Sequence, residues 1–196
     1  PGPLAVVIGG LHGDEVAGMA AAKRLIAARP RRGKIIVLPV ANRLAADSAV
    51  RTPYYMHDLN RAFPGNKTGN STEMLAAAVM GVIERYRPAI VIDLHEANSR
   101  AAPEIGETAN TLILSEDGRA AAIALPVLEA LAESGETRFT FLSGAPKGSL
   151  NREVSTRLGI PVITVETDRL DALAERTQTQ LSIIRLILEN TETARQ

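Results

Sequence analysis

Four residues have the types and positions to do chemistry together. His12 and Glu15 lie three apart in IGGLHGDEVAG (8–18), a glycine-rich turn between an apolar run and a helical pattern. His95 stands in VIDLHEAN (91–98) and Glu166 in VITVETD (162–168). On the first turn of a helix, residues i and i+3 share a face. An imidazole nitrogen and a carboxylate oxygen so placed can meet one ion at about 2.0–2.2 Å. His95 can add a third ligand. Two histidines and one glutamate, with a fourth position left for water, form a catalytic zinc set. Zinc brings the pKa of water near neutral, and a nearby carboxylate such as Glu166 can take its proton. Each residue also has a plainer use. An isolated H-x-x-E is common on solvated helix faces, and Glu166 could pair with Arg169 or Arg157 at a strand end.

A second constellation lies in RTPYYMHDLNRAFPG (51–65). Arg51 and Arg61 are cations in a long loop, with the Asn60 amide beside them. One arginine can clamp a substrate carboxylate with two hydrogen bonds, and another can stabilise an oxyanion. Ordinary loop hydrogen bonding is the alternative. Phosphate binding fits the first turn poorly. Neither G-x-G-x-x-G nor G-x-x-x-x-G-K-S/T is present, and Asp14 and Glu15 would repel an anion at the helix start.

These residues need strand ends to hold them. Apolar runs predict strands at 4–9, 34–40, 89–94, 111–115, 138–143 and 161–166. Several do not alternate, as expected for strands covered on both faces. Helical patterns cover 14–28, 71–86, 117–134 and 168–190. The first begins with two acids and ends in basic residues, matching the helix dipole. Ser71 is the expected N-cap of the second, and Pro126 should kink or interrupt the third. The stretch 41–70 reads as one long irregular loop, of a length that usually serves function. The alternation predicts a three-layer α/β/α fold with a mostly parallel or mixed central sheet. In such sheets, ligands bind at the carboxyl ends of the strands. His12, His95 and Glu166 all follow or close predicted strands.

The chain has 196 residues, enough for a single domain spanning 1–196. Lys+Arg and Asp+Glu both number 22, which argues against a general nucleic-acid or membrane-surface partner. The basic stretch RPRRGK (29–34) is expected to lead from a helix into a strand. The absence of cysteine excludes disulfides, thiolate metal sites and a cysteine nucleophile. PGPLAVVIGG (1–10) lacks a charged leader region, and AAAIALPVLEALA (120–132) is too short to span a bilayer. A cytoplasmic protein is the default expectation.

The motifs GGLHGDE, DLNRAFPG, DLHEA and PVITVET, in this order, resemble the zinc carboxypeptidase superfamily. They are most similar to its deacylase branch, the succinylglutamate desuccinylase/aspartoacylase-like proteins, and they span about 10–166. The resemblance implies a zinc carboxypeptidase-like fold and one zinc ion held by His12, Glu15 and His95. It implies that Asn60 and Arg61 hold a substrate carboxylate and that Glu166 is general base and then general acid. Arg51 resembles the oxyanion-stabilising arginine. GAPKGSLNREV (144–154) is similar in place to the specificity segment, where Lys147, Asn151 and Arg152 are candidates to face the substrate. His57 has no role to carry over and reads as a loop histidine. No tyrosine matches the superfamily's mobile substrate-binding tyrosine. The β-rich C-terminal domain usual in the deacylases is not expected within these residues.

The expected activity is hydrolysis of the amide bond in N-acyl amino acids or related N-acylated amines by a zinc-activated water. The expected partner is a small molecule bearing a carboxylate, with homo-oligomerisation left open. A zinc carboxypeptidase acting on a peptide or cell-wall peptide C-terminus would use the same residues. A non-catalytic metal- or partner-binding domain would need no base at Glu166.

Overall fold

The computed structural model describes residues 2–30, 32–98 and 109–193. Arg31 of the basic stretch lies outside them. The elements run β1 (Leu4–Gly9), α1 (Val16–Leu25), β2 (Lys34–Leu38), α2 (Arg43–Asp47), a 3-10 turn (Leu59–Arg61) and α3 (Ser71–Tyr86). They continue with β3 (Ile90–Ala97), β4 (Thr111–Leu114), α4 (Arg119–Glu133), β5 (Thr140–Ser143), α5 (Leu150–Leu158), β6 (Val162–Asp168) and α6 (Leu173–Thr193). No helix among the described residues is long and apolar enough to cross a membrane.

The six strands form one mixed sheet in the order β2-β1-β3-β6-β4-β5. β2, β1, β3 and β6 are parallel, while β4 runs antiparallel to β6 and β5 follows β4. Side chains of successive strand residues point to opposite faces, and both faces of the central strands are apolar. Ala5 and Val7 of β1 join Ile92 and Leu94 of β3 under α1, α4 and α6. Val6 and Ile8 join Val91 and Val162 under α3 and α5. The result is the three-layer α/β/α arrangement, with β3 buried along its whole length.

Several local details differ from the sequence reading. Helix α1 starts at Val16, so Asp14 and Glu15 lie outside its first turn. The N-cap of α3 is Asn70, whose side chain accepts from Glu73 N while the Glu73 carboxylate accepts from Asn70 N. That reciprocal pair satisfies two open helix donors, which Ser71 one residue later cannot do. Helix α4 continues through Pro126. The stretch 41–70 contains α2 and the 3-10 turn, and α5 forms where the sequence pattern predicts no element.

α1 sits unusually close to the sheet. A Cβ at Gly18 would stand 2.9 Å from the Leu94 carbonyl oxygen of β3, one residue before His95. Gly81, inside α3, has open space where a Cβ would be. Gly18→Ala is expected to cost about 1–3 kcal/mol by overpacking, a fall of about 3–10 °C in melting temperature. Gly81→Ala is expected to gain about 0.5–1 kcal/mol from helix propensity and reduced unfolded-state freedom. Thermal melts of the two variants check both signs.

Candidate functional site

The carboxyl ends of β1, β3 and β6 lie side by side. His12 follows β1 in a turn that reverses the chain into α1. His95 and Glu166 are register partners across the β3–β6 ladder, so their side chains leave the sheet as neighbours. Glu15 adopts a non-helical conformation (φ −93°, ψ 72°) just before α1. A turn, not a helix face, therefore brings it back onto His12.

His12, Glu15 and His95 are only 2%, 1% and 2% exposed. His12 Nδ1 lies 2.7 Å from Glu15 Oε1, and His95 Nδ1 lies 2.8 Å from Glu15 Oε2. The imidazole rings meet edge to face at 5.0 Å. One ligand atom from each of the three residues falls within 4.8 Å of the others. Behind each imidazole stands a carboxylate. Asp58 Oδ1 is 3.0 Å from His12 Nε2, and Asp93 Oδ2 is 3.0 Å from His95 Nε2. When each imidazole is neutral with its proton on Nε2, those carboxylates accept that proton's hydrogen bond and both Nδ1 lone pairs face Glu15. Acceptors this close repel unless protons or a cation lie between them. Glu15 Oε2 also lacks a hydrogen bond of acceptable geometry despite its burial. The donor set, two imidazoles and a carboxylate backed by acids, suits a divalent metal ion.

The electrostatics agree. Burial opposes charge on both histidines. Glu15 and Asp58 nevertheless raise the His12 pKa, and Asp93 and Glu15 raise that of His95 well above its ordinary value. Burial likewise opposes charge on Glu15, but the two histidines hold its carboxyl below the usual range. Asp58 is also held low, against burial, by His12 and Arg51. Glu166 goes the other way. Burial pushes it up to about 8, with Glu15 and Asp93 adding to the rise against the histidines.

His12, Glu15, Arg51, Asn60, Arg61, His95 and Glu166 line one cavity of about 330 Å³. Arg51 donates to Asp58 Oδ2 at 3.1 Å and stands 3.8 Å from Glu15 Oε1. Asn60 Oδ1 accepts from Leu150 N at the start of α5. Arg61 donates to the Asn60 carbonyl and is exposed. Arg169 and Arg157 do not take Glu166 as partner. Arg169 bonds Asp14 at 2.8 Å and Arg157 bonds Glu153 at 2.8 Å. Asn151 lines the cavity, whereas Lys147, Arg152 and His57 do not.

The sequence reading pointed to no role for Asp58, Asp93 or Glu96, and it offered Arg169 as a partner of Glu166 where the structure gives it Asp14 and Glu15. Asp93 sits two residues before His95 on the same strand face, a spacing that carried the signal; Asp58 lies 46 residues from His12 and had none. Glu96 Oε2 accepts from Ala17 N at 2.9 Å, so β3 caps α1 and frees Glu15 from that task. Arg169 reaches Glu15 Oε1 at 3.5 Å and the Glu96 carbonyl at 3.2 Å.

A raised folded-state pKa gives stability that is present below the unfolded value and lost as pH rises through the folded one. Glu166 does this between about 4.5 and 8, and His12 and His95 act in the same direction above 6.5. The metal-free protein is therefore expected to melt progressively lower from pH 5 to 9. Glu166→Gln should flatten that fall between pH 5 and 8. Added zinc should stabilise more at higher pH, because the histidines must be neutral to bind it. Melts with chelator and with zinc across this range test both slopes.

The chain is similar to known proteins in sequence and in fold. The sequence profile described as succinylglutamate desuccinylase/aspartoacylase catalytic domain matches residues 1–189. The N-alpha-acetyl-L-2,4-diaminobutyric acid deacetylase of Halomonas elongata is 37% identical over 98 residues, 48% of this chain and 28% of that protein. A succinylglutamate desuccinylase/aspartoacylase from Rhodobacter sphaeroides is 25% identical, with TM-score 0.72 over 97% of this chain and 56% of that one. The product-bound cell shape determinant Csd4 from Helicobacter pylori is 17% identical and shares the fold, with TM-score 0.79 over 96% of this chain and 50% of that one. The chain thus spans about half the length of these solved relatives. With nearly its full length inside the matched profile, the chain belongs to the family of succinylglutamate desuccinylase/aspartoacylase catalytic domains.

Proposed function

We propose that this chain is a zinc-dependent amidohydrolase that removes the acyl group from N-acyl amino acids or related N-acylated amines. The observation that carries this reading is the convergence of a His-Glu-His ligand set, a raised glutamate and two arginines on one cavity. His12, Glu15 and His95 would hold one zinc ion. When bound, zinc would supply a Lewis acid that polarises the amide carbonyl and acidifies a water.

The remaining work belongs to the chain's own residues. Glu166 takes the proton of the attacking water and returns it to the leaving amine. A carboxyl at a strand end beside the ligand set can do both. Arg51, fixed by Asp58, faces the oxygen that gains negative charge. Arg61 is tethered through only one of its nitrogens in the hydrogen bond to the Asn60 carbonyl, and with the Asn60 amide it receives a substrate carboxylate. Asp58 and Asp93 fix the orientation of the two imidazoles.

A screen of N-acyl amino acids against peptides with free C-termini, using zinc-loaded protein, is the test. Hydrolysis of the first class supports the deacylase reading. Hydrolysis of peptides alone makes the chain a carboxypeptidase. Zinc binding with no turnover of either class leaves a binding domain. Glu166→Gln is expected to lower kcat by about 10²–10⁴-fold while keeping zinc. An unchanged kcat would contradict the assignment of Glu166.

A further inference from the structure

Two arginines stand near Glu15 Oε1, Arg169 at 3.5 Å and Arg51 at 3.8 Å. Arg51 lines the cavity and Arg169 does not, so Arg169 can act on the site only through other residues. Its three guanidinium nitrogens go to three places. One donates to Asp14 Oδ2 at 2.8 Å, one to Glu15 Oε1 at 3.5 Å, and Nε to the Glu96 carbonyl at 3.2 Å. Asp14 precedes Glu15 in the chain, and Glu96 follows His95. One planar group therefore ties together two ligand segments, the turn after β1 and the end of β3. Arg169 is itself fixed from behind. Its backbone N donates to the Ala97 carbonyl at 2.9 Å, and its carbonyl accepts from Arg176 at 3.2 Å. Arg176 also reaches Glu96 Oε1 at 3.0 Å.

Glu15 needs such a hold. It stands before α1, and its side chain makes no cap hydrogen bond. The last torsion of a glutamate is broad, so its own rotamer does not fix the carboxylate plane. Charge alone does not account for Arg169. A cation beside the ligand set repels a divalent ion, and its removal by itself would tighten metal binding.

We propose that Arg169 is a positioning residue of the metal site. Its rigid fork holds the Glu15 carboxylate in the plane where Oε1 faces His12 and Oε2 faces His95, and it sets the spacing of the two ligand segments. The inference rests on the metal reading of His12, Glu15 and His95. Zinc retention then depends on the shape of the fork and not on its charge. A lysine keeps the charge but offers no planar fork.

The test measures zinc affinity by competition with a chromophoric chelator. It uses wild type, Arg169→Lys, Arg169→Gln and Asp14→Asn, each checked for folding by circular dichroism. Both Arg169 variants are expected to bind zinc about 10–100-fold more weakly, the usual effect of removing an outer partner of a metal ligand. Asp14→Asn keeps Arg169 but weakens its anchor, and should move in the same direction by less. The visible spectrum of cobalt-substituted protein should change in both Arg169 variants, because it reports ligand geometry. If Arg169→Gln does not fold, Arg169→Lys and Asp14→Asn carry the same test. Tighter zinc in Arg169→Gln, with wild-type affinity in Arg169→Lys, would mean that only charge acts and would overturn the proposal. Wild-type affinity in every folded variant, with only a lower melting temperature when metal-free, would make Arg169 a fold staple and overturn it as well. Zinc absent from wild type overturns the metal reading together with this proposal, whereas zinc retained equally by wild type and variants overturns this proposal alone.

Discussion

The structure depends on one fully buried carboxylate. Glu15 stands between two imidazoles, with Arg169 at 3.5 Å and Arg51 at 3.8 Å from its Oε1. A carboxylate so buried is costly unless positive charge surrounds it. Four surrounding groups can supply that charge, from β3, from the turn after β1, from the loop after α2 and from the turn after β6. Each must be held by its own scaffold. The Glu96 side chain of β3 caps α1, which lets Glu15 leave the helix and face the histidines. The close packing of Gly18 on Leu94 fixes how far α1 stands from His95.

Asp58 and Asp93 extend the same logic outward. Each binds the far nitrogen of one imidazole, so the two near nitrogens meet across Glu15. Asp58 is itself steadied by Arg51 and by Asn60 N. Gln180 of α6 donates to the His95 carbonyl and to Thr167, so the outer helix layer also holds the strand end. With the imidazoles neutral, Glu15, Asp58 and Asp93 outnumber Arg51 and Arg169, which is the environment a divalent cation needs. Glu166 absorbs part of the imbalance by resisting ionisation.

Much of this was legible in the sequence. The apolar runs of β1, β3 and β6 ended in His, Glu and Asp, and sheet order did the rest. The direction of β4 and β5 was not legible, because a four-residue apolar run reads the same in either orientation. Helix α5, LNREVSTRL, escaped because its polar residues outnumber its apolar ones and only Leu150 and Val154 are buried apolar anchors. The 3-10 turn at Leu59–Arg61 depends on the Asp58 cap and on Leu59 burial, neither of which has a periodic signature. Asp93 was legible from its place two residues before His95 on one strand face, whereas Asp58 was not, since a hydrogen bond to His12 across 46 positions leaves no spacing to read.

Everything proposed for this chain turns on a metal site at His12, Glu15 and His95. Its most direct test is metal content by elemental analysis of wild type and His12→Ala, purified in parallel and dialysed against zinc, with circular dichroism to confirm folding. About one zinc per wild-type chain is expected, from one open four-coordinate set, with its loss in the folded variant. Metal-free wild type after zinc dialysis, or equal zinc in the folded variant, would contradict it.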